Sequence, residues 1–87
     1  MQIEIVPLQK CHIEEVIDIL QMISEFKPPK SEYDKIWQCF IDHPENYGLV
    51  ALDQFGKVIG YGSLLLNYKI RGGIMGHIED IAVHKNF

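Results

Sequence analysis

Two acids, Glu79 and Asp80, stand inside an otherwise apolar run, Gly76-His77-Ile78-Glu79-Asp80-Ile81-Ala82-Val83. The run lies in a stretch, Ile74 to His84, that reads as a strand after the turn Arg71-Gly72-Gly73. Charged groups in such a place are costly unless they hold something. Side chains of a strand alternate between its faces, so adjacent acids are expected to point to opposite sides. That excludes a converging carboxylate pair of the glycosidase type. Two readings stay open. One acid faces a ligand while the other anchors a loop or a second subunit, or one is solvated while the other caps main-chain groups at a bulge.

Upstream, Gln2–Val6 alternates polar and apolar, with Ile3 and Ile5 on one side, and reads as a strand ended by Pro7. From Ile13 the period becomes helical. Ile13, Val16, Ile17, Leu20 and Ile23 share a face, opposite Glu14, Glu15 and Asp18. Cys11 or His12 stands where Ser or Asp would cap better. Pro28-Pro29 ends the pattern. Ser31, with Asp34 three residues on, opens a second helix whose stripe is Tyr33, Ile36, Trp37, Phe40 and Ile41. Strands follow over Tyr47–Leu52 and Val58–Tyr68, joined by Asp53-Gln54-Phe55-Gly56-Lys57, where Gly56 is free to take positive φ. Gly60 and Gly62 suggest close packing or a bulge. The order strand, helix, helix and three hairpin-joined strands predicts one small α+β (mixed α/β) domain over 1–87 with a mainly antiparallel sheet.

The net charge is −4 and Arg71 is the single arginine, which excludes the basic stripe of a nucleic-acid binder. No apolar run spans a bilayer and no signal-peptide pattern opens the chain, so a soluble, cytoplasmic protein without membrane partners is the expectation. Cys11 and Cys39 are far apart and read as reduced thiols on helices. His12, His43, His77 and His84 lack zinc-site spacing, and no metal is expected. His77 and His84 read as structural strand residues.

The element order, the hairpin Leu49–Leu66 and the run Gly76–Val83 with His84-Lys85-Asn86-Phe87 resemble the Gcn5-related N-acetyltransferase superfamily, most closely its glucosamine-6-phosphate N-acetyltransferases. The resemblance follows the element order through all 87 residues, and its specificity is concentrated in 76–83. It implies the N-terminal half of an acyl-CoA N-acyltransferase fold. It implies direct transfer of acetyl from acetyl-CoA, as co-substrate, to the amine of an amino-sugar phosphate, a step in UDP-GlcNAc biosynthesis. No acyl-enzyme forms in that chemistry, so neither cysteine is needed as a nucleophile.

The resemblance also assigns residues. Main-chain groups of Ile81, Ala82 and Val83 match those that take the pantetheine arm as an added strand and polarise the thioester oxygen. Glu79 and Asp80 match positions that hold the sugar and orient its amine. Lys69, Ile70 and Arg71 match the stretch before that strand, with Lys69 and Arg71 as partners for the phosphate. Ser24 stands where the family often has Thr. A homodimer is implied. The pyrophosphate-binding loop, a later helix and strands, and a tyrosine that protonates the departing thiolate would all follow Phe87. The 87 residues alone are therefore expected to be inactive. The same superfamily also acetylates proteins, polyamines and other small amines. An outer strand edge that pairs with another copy is the reading from a different class.

Overall fold

The computed structural model describes residues 2–84. Strand β1 (Glu4–Pro7) is followed by a 3₁₀ turn (Lys10–His12) and helix α1 (Ile13–Leu20). A second 3₁₀ turn (Lys30–Glu32) leads into helix α2 (Tyr33–Ile41). Strands β2 (Asn46–Leu52), β3 (Val58–Tyr68) and β4 (Ile74–Val83) complete one antiparallel sheet of order β1-β2-β3-β4. The expected fold class and element order are therefore present.

The buried core lies between the helices and one face of the sheet. Val16, Ile17 and Ile13 of α1 pack with Leu8, Val50, Val58 and Ala82, and Tyr33, Ile36, Trp37 and Phe40 of α2 close over them. Trp37 and Phe40 stack with ring centroids 6.1 Å apart. Gly48 is where β2 passes under this layer. A Cβ there would lie 3.0 Å from both Cβ and Cδ2 of Leu8 and 3.3 Å from Phe40 Cζ. Gly48→Val is accordingly expected to destabilise the fold by about 1–3 kcal/mol through overpacking, read as a lower urea midpoint with an unchanged m-value.

Local details depart from the sequence expectation for identifiable reasons. The helical period of the sequence continues through Ile23, whereas α1 stops at Leu20. The amides of Met22 and Ile23 bond back to Ile19 and Leu20, tightening the last turn. Gln21 then donates its side-chain amide to the carbonyls of Ile17 and Phe26, both at 3.1 Å. Ile23 thus leaves the apolar stripe and is 57% exposed. The weak start of α1 is met by the preceding turn, where the Gln9 amide donates to His12 Nδ1 at 3.0 Å. Ser31 and Asp34 form no capping box: Glu32 precedes α2 without a side-chain cap, and Asp34 pairs with Lys10 at 3.2 Å. β1 is shifted to include Pro7. The Asp53–Lys57 hairpin forms as expected, with Gly56 at φ +80° and the Asp53 carboxylate accepting from the amides of Phe55 and Lys57.

Candidate functional site

β4 pairs with β3 in two registers that do not match. On one side Leu64 faces Ile78; on the other Gly62 faces Ile81. One residue of β3, Ser63, therefore opposes two of β4, Glu79 and Asp80. This is a β-bulge, and the two acids are the bulge. The Asp80 amide donates to the Ser63 hydroxyl at 3.2 Å.

The bulge overturns the expectation that the acids point to opposite sides. Ala82 pairs with Tyr61 and is buried against the helices, so Asp80, two residues back, shares that face. His77 pairs with Leu65, and Glu79, two residues on, falls on the same face by the same count. Both carboxylates thus lie on the helix-bearing face, and both are exposed.

Asp80 lines an open groove of about 360 Å³ between the end of α1 and the segment before α2, together with Ser24, Phe26, Pro28 and Ile36. Ser24 and Asp80, singled out separately in the sequence, meet there. Tyr61 pairs with Ala82 on the same face of the sheet. Burial raises the Tyr61 phenol above its usual range, the neighbouring Ser63 hydroxyl pulls it down, and the Asp80 charge pushes it up again. Ser63 and Tyr61 escaped the sequence reading, because only the strand pairing places them beside Asp80. Their one signal was the flanking pair Gly60 and Gly62.

The main chain beyond the bulge has a defined direction. The His84 amide donates to the Ile59 carbonyl at 2.8 Å, so the neighbouring pair Val83–Gly60 turns its main-chain groups apart. Alternation makes Ile81–Gly62 another such pair and Ala82–Tyr61 a bonded one. Ile81 and Val83 therefore aim N–H and C=O at the outer edge of β4, which is an edge strand among the described residues. Ala82 directs its own groups to Tyr61 and contributes a buried methyl instead.

Lys69, Ile70 and Arg71 are not brought to this place. They form the β3–β4 turn, where the Lys69 amide bonds to the Gly73 carbonyl and Gly72 and Gly73 take φ +96° and +95°. Ile70 is wholly exposed. At about 3.3 Å per residue the turn lies roughly 15–20 Å from the bulge within one chain. His84 ends the described chain. Lys85, Asn86 and Phe87, part of the resemblance, lie outside the described residues. Cys11 and Cys39 are exposed free thiols on the first 3₁₀ turn and on α2.

The family profile of the Acetyltransferase (GNAT) family matches residues 13–87. The chain belongs to the GNAT family. No curated relative matches it. Among solved structures, a Trypanosoma brucei acetyltransferase superposes with a TM-score of 0.84 at 24% identity, over 98% of this chain and 62% of that one. Glucosamine-6-phosphate N-acetyltransferase from Arabidopsis thaliana gives 0.87 at 22% identity, over 100% of this chain and 63% of that one. An aminoglycoside antibiotic 6'-N-acetyltransferase from Acinetobacter baumannii gives 0.74 at 11%, over 98% and 59%. At these identities the likeness is one of fold. The chain spans about three-fifths of the length of these GNAT-fold neighbours. None of its described helices is long and apolar enough to cross a membrane.

Proposed function

We propose that this GNAT chain carries the thioester rail and the amine-binding side of an N-acetyltransferase whose acceptor is glucosamine 6-phosphate, acting in the cytoplasm. The observation that carries the reading is the bulge. It puts Glu79 and Asp80 on one face while Ile81 and Val83 offer main-chain groups at the open edge. An edge with free N–H and C=O groups fits the amides of a pantetheine arm as an added strand. Acetyl-CoA supplies the activated acetyl group. An outward N–H beside the thioester oxygen stabilises the charge that grows there as the amine attacks. The amine adds to the thioester carbonyl, the C–S bond then breaks to leave the amide, and the proton that nitrogen loses goes to the departing CoA thiolate, giving the CoA thiol. Asp80, with Ser24 across the groove, accepts hydrogen bonds from the amine and sugar hydroxyls, and Glu79 adds a second anion on that face.

Lys69 and Arg71 are the proposed phosphate partners. Their separation from the bulge exceeds the span of one sugar phosphate, so this role requires the turn of a second copy in a homodimer. The same separation favours a second reading, in which the acceptor is an amine without a phosphate. Acetylation assays on a chain extended through the pyrophosphate-binding loop and later elements, with glucosamine 6-phosphate, glucosamine, an aminoglycoside and a lysine peptide, separate the two. Preference for the phosphorylated sugar, lost in Lys69→Ala, is the expected result; preference for an unphosphorylated amine moves the assignment to the second reading.

A further inference from the structure

Two unbroken pairings of β3 with β4 compete with the bulge. If the pairing Gly62–Ile81 ran on without a break, Ser63 would face Asp80 and Leu64 would face Glu79, sending Glu79 to the helix-free face of the sheet. If the pairing Leu64–Ile78 ran back without a break, Ser63 would face Glu79 and Gly62 would face Asp80, sending Asp80 there instead. The second slip would also set Ile81 opposite Tyr61 in place of Ala82, whose methyl is buried in the core. Each regular register thus turns one carboxylate away from the helices. The bulge keeps both on their side.

Ser63 supplies what the bulge needs. The extra residue of a bulge is left without its ladder partner, and a main-chain N–H left unpaired is costly. The Asp80 amide is met by the Ser63 hydroxyl, which accepts from it at 3.2 Å. The fit is particular to this position. Gly62 and Leu64, on either side, carry no side-chain acceptor, so a bulge moved one place along β3 would lose the bond. Ser63 is half-buried and shares its face with Tyr61 and with both acids. Its hydroxyl also lies beside the Tyr61 phenol and opposes the upward push of burial there. One oxygen therefore serves the main chain of the acid and the aromatic side chain next to it.

We infer that Ser63 is the positioning residue of the acceptor side: its hydroxyl fixes the bulge through the Asp80 amide and so keeps both carboxylates on the helix-bearing face, with Asp80 in the groove beside Ser24. Ser63 does not line that groove and acts through Asp80. The bond joins two paired strands inside the sheet, so it is made whatever lies beyond β4. The consequence for binding rests on the reading of Asp80 as the acid that meets the acceptor; the consequence for geometry does not.

Ser63→Ala, Ser63→Cys and Ser63→Thr in the 87-residue chain test it. Alanine removes the acceptor, cysteine keeps the size with a weak acceptor, and threonine keeps the oxygen. Circular dichroism and the exchange rate of the Ala82 amide, which bonds within the ladder, check each fold. Three readouts follow Asp80: hydrogen exchange of its amide, nuclear Overhauser contacts from its β protons to the Tyr61 ring, and isothermal titration with glucosamine 6-phosphate. In Ser63→Ala the amide should exchange about tenfold faster, the Tyr61 contacts should weaken and the dissociation constant should rise about three- to tenfold. Ser63→Cys should fall between alanine and wild type, and Ser63→Thr should restore all three. An Asp80 amide and Tyr61 contacts unchanged in Ser63→Ala overturn the inference. So does a bulge that loosens while the sugar phosphate binds as before, which leaves Ser63 a structural residue only. A wild-type chain that binds no sugar phosphate overturns the acceptor reading instead, and the exchange rates and Tyr61 contacts then decide whether Ser63 holds the acids on the helix face.

Discussion

Asp80→Asn is expected to weaken binding of glucosamine 6-phosphate about ten- to a hundredfold, the equivalent of about 1.5–3 kcal/mol for a hydrogen bond to a charged group. In a chain extended through the later elements, acetyl transfer should fall by at least that factor. The substitution reads charge rather than architecture. Ser63 holds the bulge through the amide of Asp80, not through its carboxylate, so asparagine leaves that bond in place. Glu79→Gln is expected to cost less, since Asp80 is the acid that lines the groove with Ser24. Isothermal titration with the sugar phosphate checks both. Equal small losses would mean that neither acid meets the acceptor.

Val50→Asp is expected to abolish cooperative folding. Val50 is 1% exposed at the centre of the core, where no buried polar group stands among the described residues to receive a carboxylate. An unpaired buried charge costs several kcal/mol. A domain of this size draws on a net stability at the low end of about 5–15 kcal/mol. One position earlier, Leu49 is exposed, and Leu49→Lys should keep a native circular dichroism spectrum. Neighbouring residues of one strand thus give opposite outcomes, which tests the two-faced sheet directly. A cooperative thermal transition in Val50→Asp would contradict the assigned core.

Much of this architecture was legible in the residues. β3 was readable to its end residues because Val58–Tyr68 is a long apolar run closed by turns, and Asp53–Lys57 carries its own turn chemistry in Asp53 and Gly56. The end of α1 was not readable. Met22 and Ile23 continue the helical pattern, and the stop depends on Gln21 reaching two carbonyls, one of them outside the helix. The acids show the same limit more sharply. Alternation along one strand puts Glu79 and Asp80 on opposite faces, but a bulge is a property of two strands, and Ser63 is its other half.

In the proposed reading β4 is a rail, with outward amides at Ile81 and Val83 for the donor and two acids on the helix face for the amine. Amide chemical shifts of the ¹⁵N-labelled chain, titrated first with acetyl-CoA and then with glucosamine 6-phosphate, examine it residue by residue. The account predicts that acetyl-CoA moves the amides of Ile81 and Val83 while Ala82 responds weakly, and that the sugar phosphate moves Ser24, Glu79 and Asp80. Shifts centred elsewhere, or none at millimolar ligand, would contradict it.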